Sequence, residues 1–254
     1  MNKLAHVLEA AGPNMAVTFT EPIGLDTMWK IAAIADVAEL RADKFPSQEP
    51  DYLAAQSRKL TNVALPVLLT IRSASEKGGW ADSEEDRLGL YTTLLPEVDG
   101  VDIELEAPIL PDVIEAAHGA GKIVIASSHN FKVTPLLTTF EAQWNRAQEA
   151  GADYAKFAAN TETFEDYKRL AEFTLRHKGS GIITVGMDRS PTTDEEETIY
   201  RWGRRSRISL PWLGSRLTYA STGQEAVAPG QMSYLETYER LRRRYPAYTL
   251  LSKD

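Results

Sequence analysis

Eight short runs of apolar and β-branched residues recur along the chain: MAVTFT (15–20), VAELRA (37–42), PVLLTIR (66–72), VDIEL (101–105), KIVIAS (122–127), YAKFA (154–158), GIITVG (181–186) and SRLTYAS (215–221). Each has the length of a strand. Most segments between them place apolar residues three and four apart, as in LPDVIEAAHGAG (110–121) and FEAQWNRAQEAGAD (140–153), the spacing of a helix with one buried face. Gly121 and Gly151 stand where such helices would stop before the next strand. The runs at 66–72 and 122–127 are nearly continuous rather than alternating, which predicts parallel strands covered on both faces. Eight strands alternating with helices over 254 residues predict an α/β fold, a single (β/α)8 TIM barrel spanning 1–254. An open doubly wound sheet is the alternative. A glycine-rich phosphate turn would favour it, and neither G-x-G-x-x-G nor G-x-x-x-x-G-K-[ST] occurs. One segment breaks the rhythm. DRSPTTDEEETIYRWGRRSR (188–207), acidic and then basic, reads as a solvated loop with a short helix after the seventh strand.

Composition narrows the function classes. A net charge of −8 argues against a general nucleic-acid partner. No apolar run approaches the roughly 20 residues of a membrane span, so no membrane partner is expected. The N-terminal stretch lacks the pattern of a secretory signal, which makes the cytoplasm the expected compartment. With no cysteine, disulfides and thiolate chemistry are excluded. Self-association as a homodimer stays open.

In a barrel of this kind, chemistry gathers at the C-terminal ends of the strands. Glu39 and Arg41 end the second strand on one side, and Arg72 ends the third with Glu76 four residues later. Ser127, Ser128 and His129 end the fifth, and Lys156 lies in the sixth. Arg207 precedes the last strand, and Gln231 closes the stretch APGQ beyond it. Singly, each has a plain reading. A strand lysine usually snorkels to water, and a lone histidine is more often structural than catalytic. Arg72 and Glu76 could form a local ion pair, worth under about 1 kcal/mol if exposed. Asp102 and Glu104 could pass for an acid pair, and alternation along the strand also fits them as buried partners of neighbouring cations. His6, His118 and His177 have no convergent partners and receive no role.

The combination points further. A barrel-lining lysine, desolvated and near other cations, holds more neutral amine for attack on a carbonyl. A histidine nearby can move protons near neutral pH, and a carboxylate can fix its tautomer. Several arginines suit an anionic, oxygen-rich substrate. The chemistry expected is imine formation followed by proton abstraction α to the former carbonyl carbon.

At these residues the chain resembles the type I 3-dehydroquinate dehydratases (3-dehydroquinases). The matching stretches, in the family's order, are ELRADKF (39–45), TIRSASEKGG (70–79), VDIEL (101–105), SSHNF (127–131), AKFAA (155–159), GRRSRI (203–208) and APGQ (228–231). The resemblance implies reversible dehydration of 3-dehydroquinate to 3-dehydroshikimate in the shikimate pathway by a hydro-lyase working through a lysine imine. It implies neither a metal nor an organic cofactor. Lys156 is similar to the imine-forming lysine, His129 to the general acid/base, and Glu76 to the carboxylate that tunes it. Arg207 resembles the arginine that binds the substrate carboxylate, and Glu39, Arg41 and Arg72 the residues that hold the ring hydroxyls. Gln231 matches a loop glutamine that closes over the substrate, Met187 an active-site methionine, and Thr18 a small hydroxyl residue.

Three positions depart from the family pattern. Val227 stands where a serine is usual, Lys77 interrupts a glutamate-glycine-glycine, and the stretch between Met187 and Arg207 is longer than usual. A lost hydrogen bond to a charged substrate should weaken its binding by about 1.5–3 kcal/mol. Two alternatives accompany the reading: a class I aldolase using the same lysine, and a degenerate paralogue that binds a pathway metabolite without turnover.

Overall fold

The computed structural model describes residues 2–10, 12–188, 201–223 and 226–245. The eight apolar runs form β1 (Met15–Phe19), β2 (Val37–Arg41), β3 (Val67–Thr70), β4 (Gly100–Glu104), β5 (Ile123–Asn130), β6 (Tyr154–Asn160), β7 (Ile182–Met187) and β8 (Thr218–Ser221). Every ladder is parallel, in the order β7-β6-β5-β4-β3-β2-β1-β8. The intervening helices are α2 (Leu25–Ala32), α3 (Pro50–Asn62), α4 (Glu84–Leu94), α5 (Leu110–Gly119), α6 (Leu137–Glu149) and α7 (Phe164–Arg176), followed by α8 (Trp202–Leu213) and α9 (Tyr234–Arg244). This is the (β/α)8 barrel. Gly121 and Gly151 take positive φ just past α5 and α6, where a side chain would be strained. Of the polar stretch 188–207, residues 202–207 form the first turns of α8, and residues 189–200 lie outside the described residues.

The barrel closes by a different device from its other seams. Arg216 N donates to Ile182 O at 2.9 Å, and Thr184 N donates to Ser215 Oγ at 2.9 Å. The Ser215 hydroxyl in turn reaches Thr184 O and Leu217 O. A buried side chain thus takes the place of a ladder between β7 and β8.

Alternation along the strands sorts the side chains. Outward residues such as Val124, Ala126 and Phe157 pack under the helices. Inward residues Ala16, Val37, Leu68, Ile125, Ile183 and Leu217 fill the N-terminal half of the barrel together with Leu4 and Leu8. Those two leucines come from α1 (Lys3–Glu9), a plug that the strand rhythm did not predict. Asn2 fixes it, capping the helix with Oδ1 and donating from Nδ2 to Asp99 O at 2.7 Å. Gly100 leaves the space, since a Cβ there would lie 2.6 Å from Leu4 Cδ2. With hydrocarbon filling this end, the polar inward positions collect at the other.

Strand β5 runs three residues past the apolar stretch, because its ladder with β6 continues through His129↔Ala158 and Asn130↔Ala159. Polar side chains end a hydrophobic pattern but do not end backbone pairing. Ser127 and His129 are therefore rigid strand positions rather than loop residues.

The seam supplies a stability test. Ser215→Ala would leave Thr184 N–H without its acceptor inside the wall, at a cost of about 1–3 kcal/mol in urea unfolding. Unchanged stability would show that the β7–β8 edge holds without it.

Candidate active site

Three inward carboxylates near the C-terminal end of the barrel face three cations. Asp102 on β4 is fully buried; its Oδ1 accepts from Arg72 Nη2 at 2.5 Å and from Ser127 Oγ at 2.7 Å, and its Oδ2 from Lys156 Nζ at 2.9 Å. Glu39 on β2 lies 3.7 Å from Lys156 Nζ and accepts from Thr18 Oγ1 (2.7 Å) and Thr70 Oγ1 (3.1 Å). Glu104 bridges Arg72 at 3.0 Å and the buried Arg87 at 2.8 Å. The immediate partners of Lys156 are therefore two carboxylates and the ring of Tyr219, 4.1 Å from Nζ, rather than the cations expected around it. Asp102 and Glu104 are the buried partners of cations, the second of the two readings their spacing allowed. Burial alone would raise the Asp102 pKa, but Lys156 and Arg72 outweigh it and hold this carboxyl far below its ordinary range.

A tight turn carries Glu76. Trp80 N donates to Arg72 O and Ala74 N to Trp80 O, folding residues 72–80 back on themselves. Lys77 takes a left-handed φ of 58° at the crest. Gly78 and Gly79 are pressed against backbone: a Cβ would fall 1.9 Å from Arg72 O and 2.2 Å from Asp43 O respectively. Ser73 N donates to Glu104 Oε1 at 2.8 Å, anchoring the turn to the charged network. Glu76 Oε2 then meets His129 Nδ1 at 2.7 Å, so Nε2 is the ring nitrogen that Glu76 does not hold. Its separation from Arg72 is 3.9 Å, so the histidine rather than the arginine is its close partner. The extra lysine of this turn leaves Glu76 in place and lays its ammonium 4.2 Å over the ring of Phe131.

His129 and Lys156 sit on adjacent strands. The register pairs Ser127 with Lys156, which sets His129 two residues further along β5 on the same inward face. Burial pushes the His129 pKa well below its ordinary value, and Arg72 and Lys156 push it the same way. Burial raises Glu76 to about 7 despite Arg72. Near neutrality the ring is uncharged.

The rim is built from α8 and the loop after β8. Arg207 is 2% exposed and donates to Tyr219 O and Pro229 O, two carbonyls. Burial lowers its pKa to about 10, against the opposing charge of Asp188. Gln231 Oε1 accepts from the backbone N–H of Val227 (2.8 Å) and of Ala228 (3.2 Å), and its Nε2 donates to Thr18 Oγ1 at 3.1 Å. Arg41 is clamped by Asp43 through two bonds of 2.9 and 2.8 Å.

All ten residues singled out in the sequence line one cavity of about 150 Å³: Thr18, Glu39, Arg41, Arg72, Glu76, His129, Lys156, Met187, Arg207 and Gln231. Val227 and Lys77 line it as well. Tyr219 and Phe131 also line it and were missed. The signal for Tyr219 was its inward parity on the last strand, which an apolar run conceals. His118 and His177 pair with Asp153 and Glu141, away from this cavity.

The family model for type I 3-dehydroquinase matches residues 16–246. A 3-dehydroquinate dehydratase from Methanosarcina acetivorans is 37% identical over 235 residues, 89% of this chain and 91% of the relative. One from Methanosarcina barkeri is 37% identical over 206 residues, covering 78% and 80%. Among solved structures, the type I 3-dehydroquinate dehydratase from Clostridium difficile, with covalently modified comenic acid, superposes with a TM-score of 0.78 at 25% identity over 94% of each chain. The enzyme from Aquifex aeolicus gives 0.74 at 27% identity, covering 93% of this chain and 100% of its own.

Glu76 makes the fold pH-sensitive in a definite direction. In the unfolded chain its carboxyl titrates near 4.5, and in the fold near 7. The fold therefore favours the protonated acid; this contribution is complete below the ordinary value and is lost as pH rises through about 7. Glu76→Gln, which mimics the neutral acid, should gain stability relative to wild type between about pH 5 and pH 8 in urea unfolding. An equal difference at both pH values would contradict the raised pKa.

Proposed function

The chain belongs to the type I 3-dehydroquinase family, and from that premise we propose how its own residues carry out the reversible dehydration of 3-dehydroquinate to 3-dehydroshikimate, a hydro-lyase step of the shikimate pathway. The observation that carries the assignment is Lys156 on the shared carboxylate Asp102, with the Glu76–His129 pair on the neighbouring strand. Lys156 attacks the C3 ketone to form an imine, which serves as the electron sink. His129 removes the C2 proton through Nε2, and the resulting enamine expels the C1 hydroxyl, protonated by the same histidine. Hydrolysis of the imine then frees the lysine. Glu76 holds the ring by Nδ1 and keeps Nε2 directed at the substrate.

Binding follows from the unspent charges. The buried guanidinium of Arg207, bonded to two carbonyls, supports a role in taking the substrate carboxylate. Glu39, Arg41 and Arg72 border the ring hydroxyls, with Thr18 donating to Glu39 and Gln231 in turn donating to Thr18. Met187 supplies an apolar wall. The chemistry needs no cofactor. The aldolase alternative gives way to the family membership, and a degenerate paralogue would not need Lys156, His129 and Glu76 kept together around one cavity. No helix among the described residues is long and apolar enough to cross a membrane. The cytoplasm as compartment and a homodimer as assembly belong to this proposal.

Borohydride added with substrate should trap a reduced adduct on Lys156, located by peptide mapping. An adduct on another lysine would reject the assignment. His129→Ala should lose about 10²–10⁴-fold in turnover while still forming the trapped adduct. Near-normal turnover would return the histidine to a structural role.

Val227 brings no hydroxyl to the cavity, although its backbone N–H still orients Gln231. Val227→Ser should lower KM with a smaller change in kcat, as expected for a contact made equally in ground and transition states. An unchanged KM would mean that the loop has been repacked around the valine.

A further inference from the structure

Tyr219 points inward from β8, paired in register with Ala16 on β1, and its side chain lines the cavity. It is 5% exposed, and among the described residues its hydroxyl has no hydrogen-bond partner. Its main-chain oxygen accepts from Arg207, which fixes the backbone, and its ring lies 4.1 Å from Lys156 Nζ. A phenylalanine would fill the same volume without burying an unmet hydroxyl. The sequence therefore keeps a costly polar group beside the amine.

The groups around Nζ restrict what that hydroxyl can do. Asp102 Oδ2 and Glu39 Oε1, at 2.9 and 3.7 Å, are acceptors only. The guanidinium of Arg72 is engaged by Asp102, Ser127 and Glu104. When an amine adds to a ketone, negative charge develops on the oxygen two bonds from the nitrogen. Two carboxylates would repel that oxygen, and a neutral donor would hold it. Burial pushes the Tyr219 pKa well above its ordinary value, with Glu39 and Asp102 pushing the same way, so the phenol keeps its proton and acts as a donor.

We propose that the Tyr219 hydroxyl donates a hydrogen bond to the oxygen on substrate C3 while Lys156 forms and later hydrolyses its imine, an inference that rests on Lys156 being the imine-forming residue. The Nζ–C3 bond forms as the C=O π pair moves to oxygen; the C3–O bond then breaks as the nitrogen lone pair makes C=N. One ammonium proton first passes to His129 and frees the attacking lone pair, a second leaves Nζ after attack, both depart with that oxygen as water, and the third stays on the iminium nitrogen. Charge is conserved, and Tyr219 ends the step with its own proton. Hydrolysis runs the same exchange backwards.

Tyr219→Phe in the full chain removes only the hydroxyl and keeps the ring beside Nζ. On rapid mixing with 3-dehydroquinate and quenching in borohydride, intact-mass analysis should show the Lys156 adduct forming about ten- to a hundredfold more slowly. The isotope effect with C2-deuterated substrate should fall towards one, because imine formation becomes limiting. The Tm should equal or exceed that of wild type, because no folded-state partner is lost. Adduct formation at the wild-type rate would overturn the proposal while leaving Lys156 in its role. A lowered Tm with an undiminished isotope effect would also overturn it, in favour of a packing role. If the wild-type protein forms no adduct on Lys156, the assignment of Lys156 falls and this proposal falls with it.

Discussion

One carboxylate, that of Asp102, is shared between two buried cations, and the polar half of the barrel is arranged around it. Removing a charge from water is expensive, so each member of such a group must be paired and hydrogen-bonded. Asp102 meets that demand for Arg72 and Lys156 at once, with Ser127 completing its oxygens. The group joins the segment just after β3 to the inward faces of β4, β5 and β6. Buried ion pairs of this kind are a weak source of net stability compared with well-packed hydrocarbon. What they supply here is position: the amine cannot drift from the mouth of the cavity without leaving a carboxylate bare.

The same network reaches the Glu76–His129 pair. Arg72 continues to Glu104, which Arg87 holds from α4 and which takes Ser73 N at the start of the turn bearing Glu76. The two glycines of that turn let it pack onto the backbone of residues 43 and 72, so Glu76 arrives at His129 on a rigid support. One buried field then assigns different ionisation states to neighbouring groups. Asp102 stays an anion between cations, Glu76 is pushed up by burial, and His129 is kept neutral by burial and by the nearby positive charges. A neutral imidazole on the strand next to a buried lysine suits the imine and enamine steps proposed for this site.

Much of this was legible in the sequence, for identifiable reasons. Strand positions show through because both faces of a parallel barrel strand are buried, and the apolar runs are correspondingly dense. Lys156 and His129 stood out because charged or titratable residues in such strands contradict that density, whereas Arg207, on α8, was marked only by the family-like stretch GRRSRI. Partner choice was not legible: the chain reveals Asp102 and Glu104 as charges but not that Asp102 sits on Lys156, which depends on strand register. Helix α1 was missed because seven residues carry too little periodicity, and Ser215 because a serine gives no sign that it will close a barrel. Tyr219 was hidden for the opposite reason, as an aromatic residue in an apolar strand looks like core until its hydroxyl is traced.

The central claim is that Asp102 acts as a shared anion and not merely as a filler of space. Asp102→Asn keeps the shape and removes the charge, leaving Arg72 and Lys156 buried with one carboxylate fewer. The direct measurement is the free energy of urea unfolding of this variant against wild type at neutral pH. The account predicts a loss of about 3–5 kcal/mol; equal stability of the two proteins would contradict it.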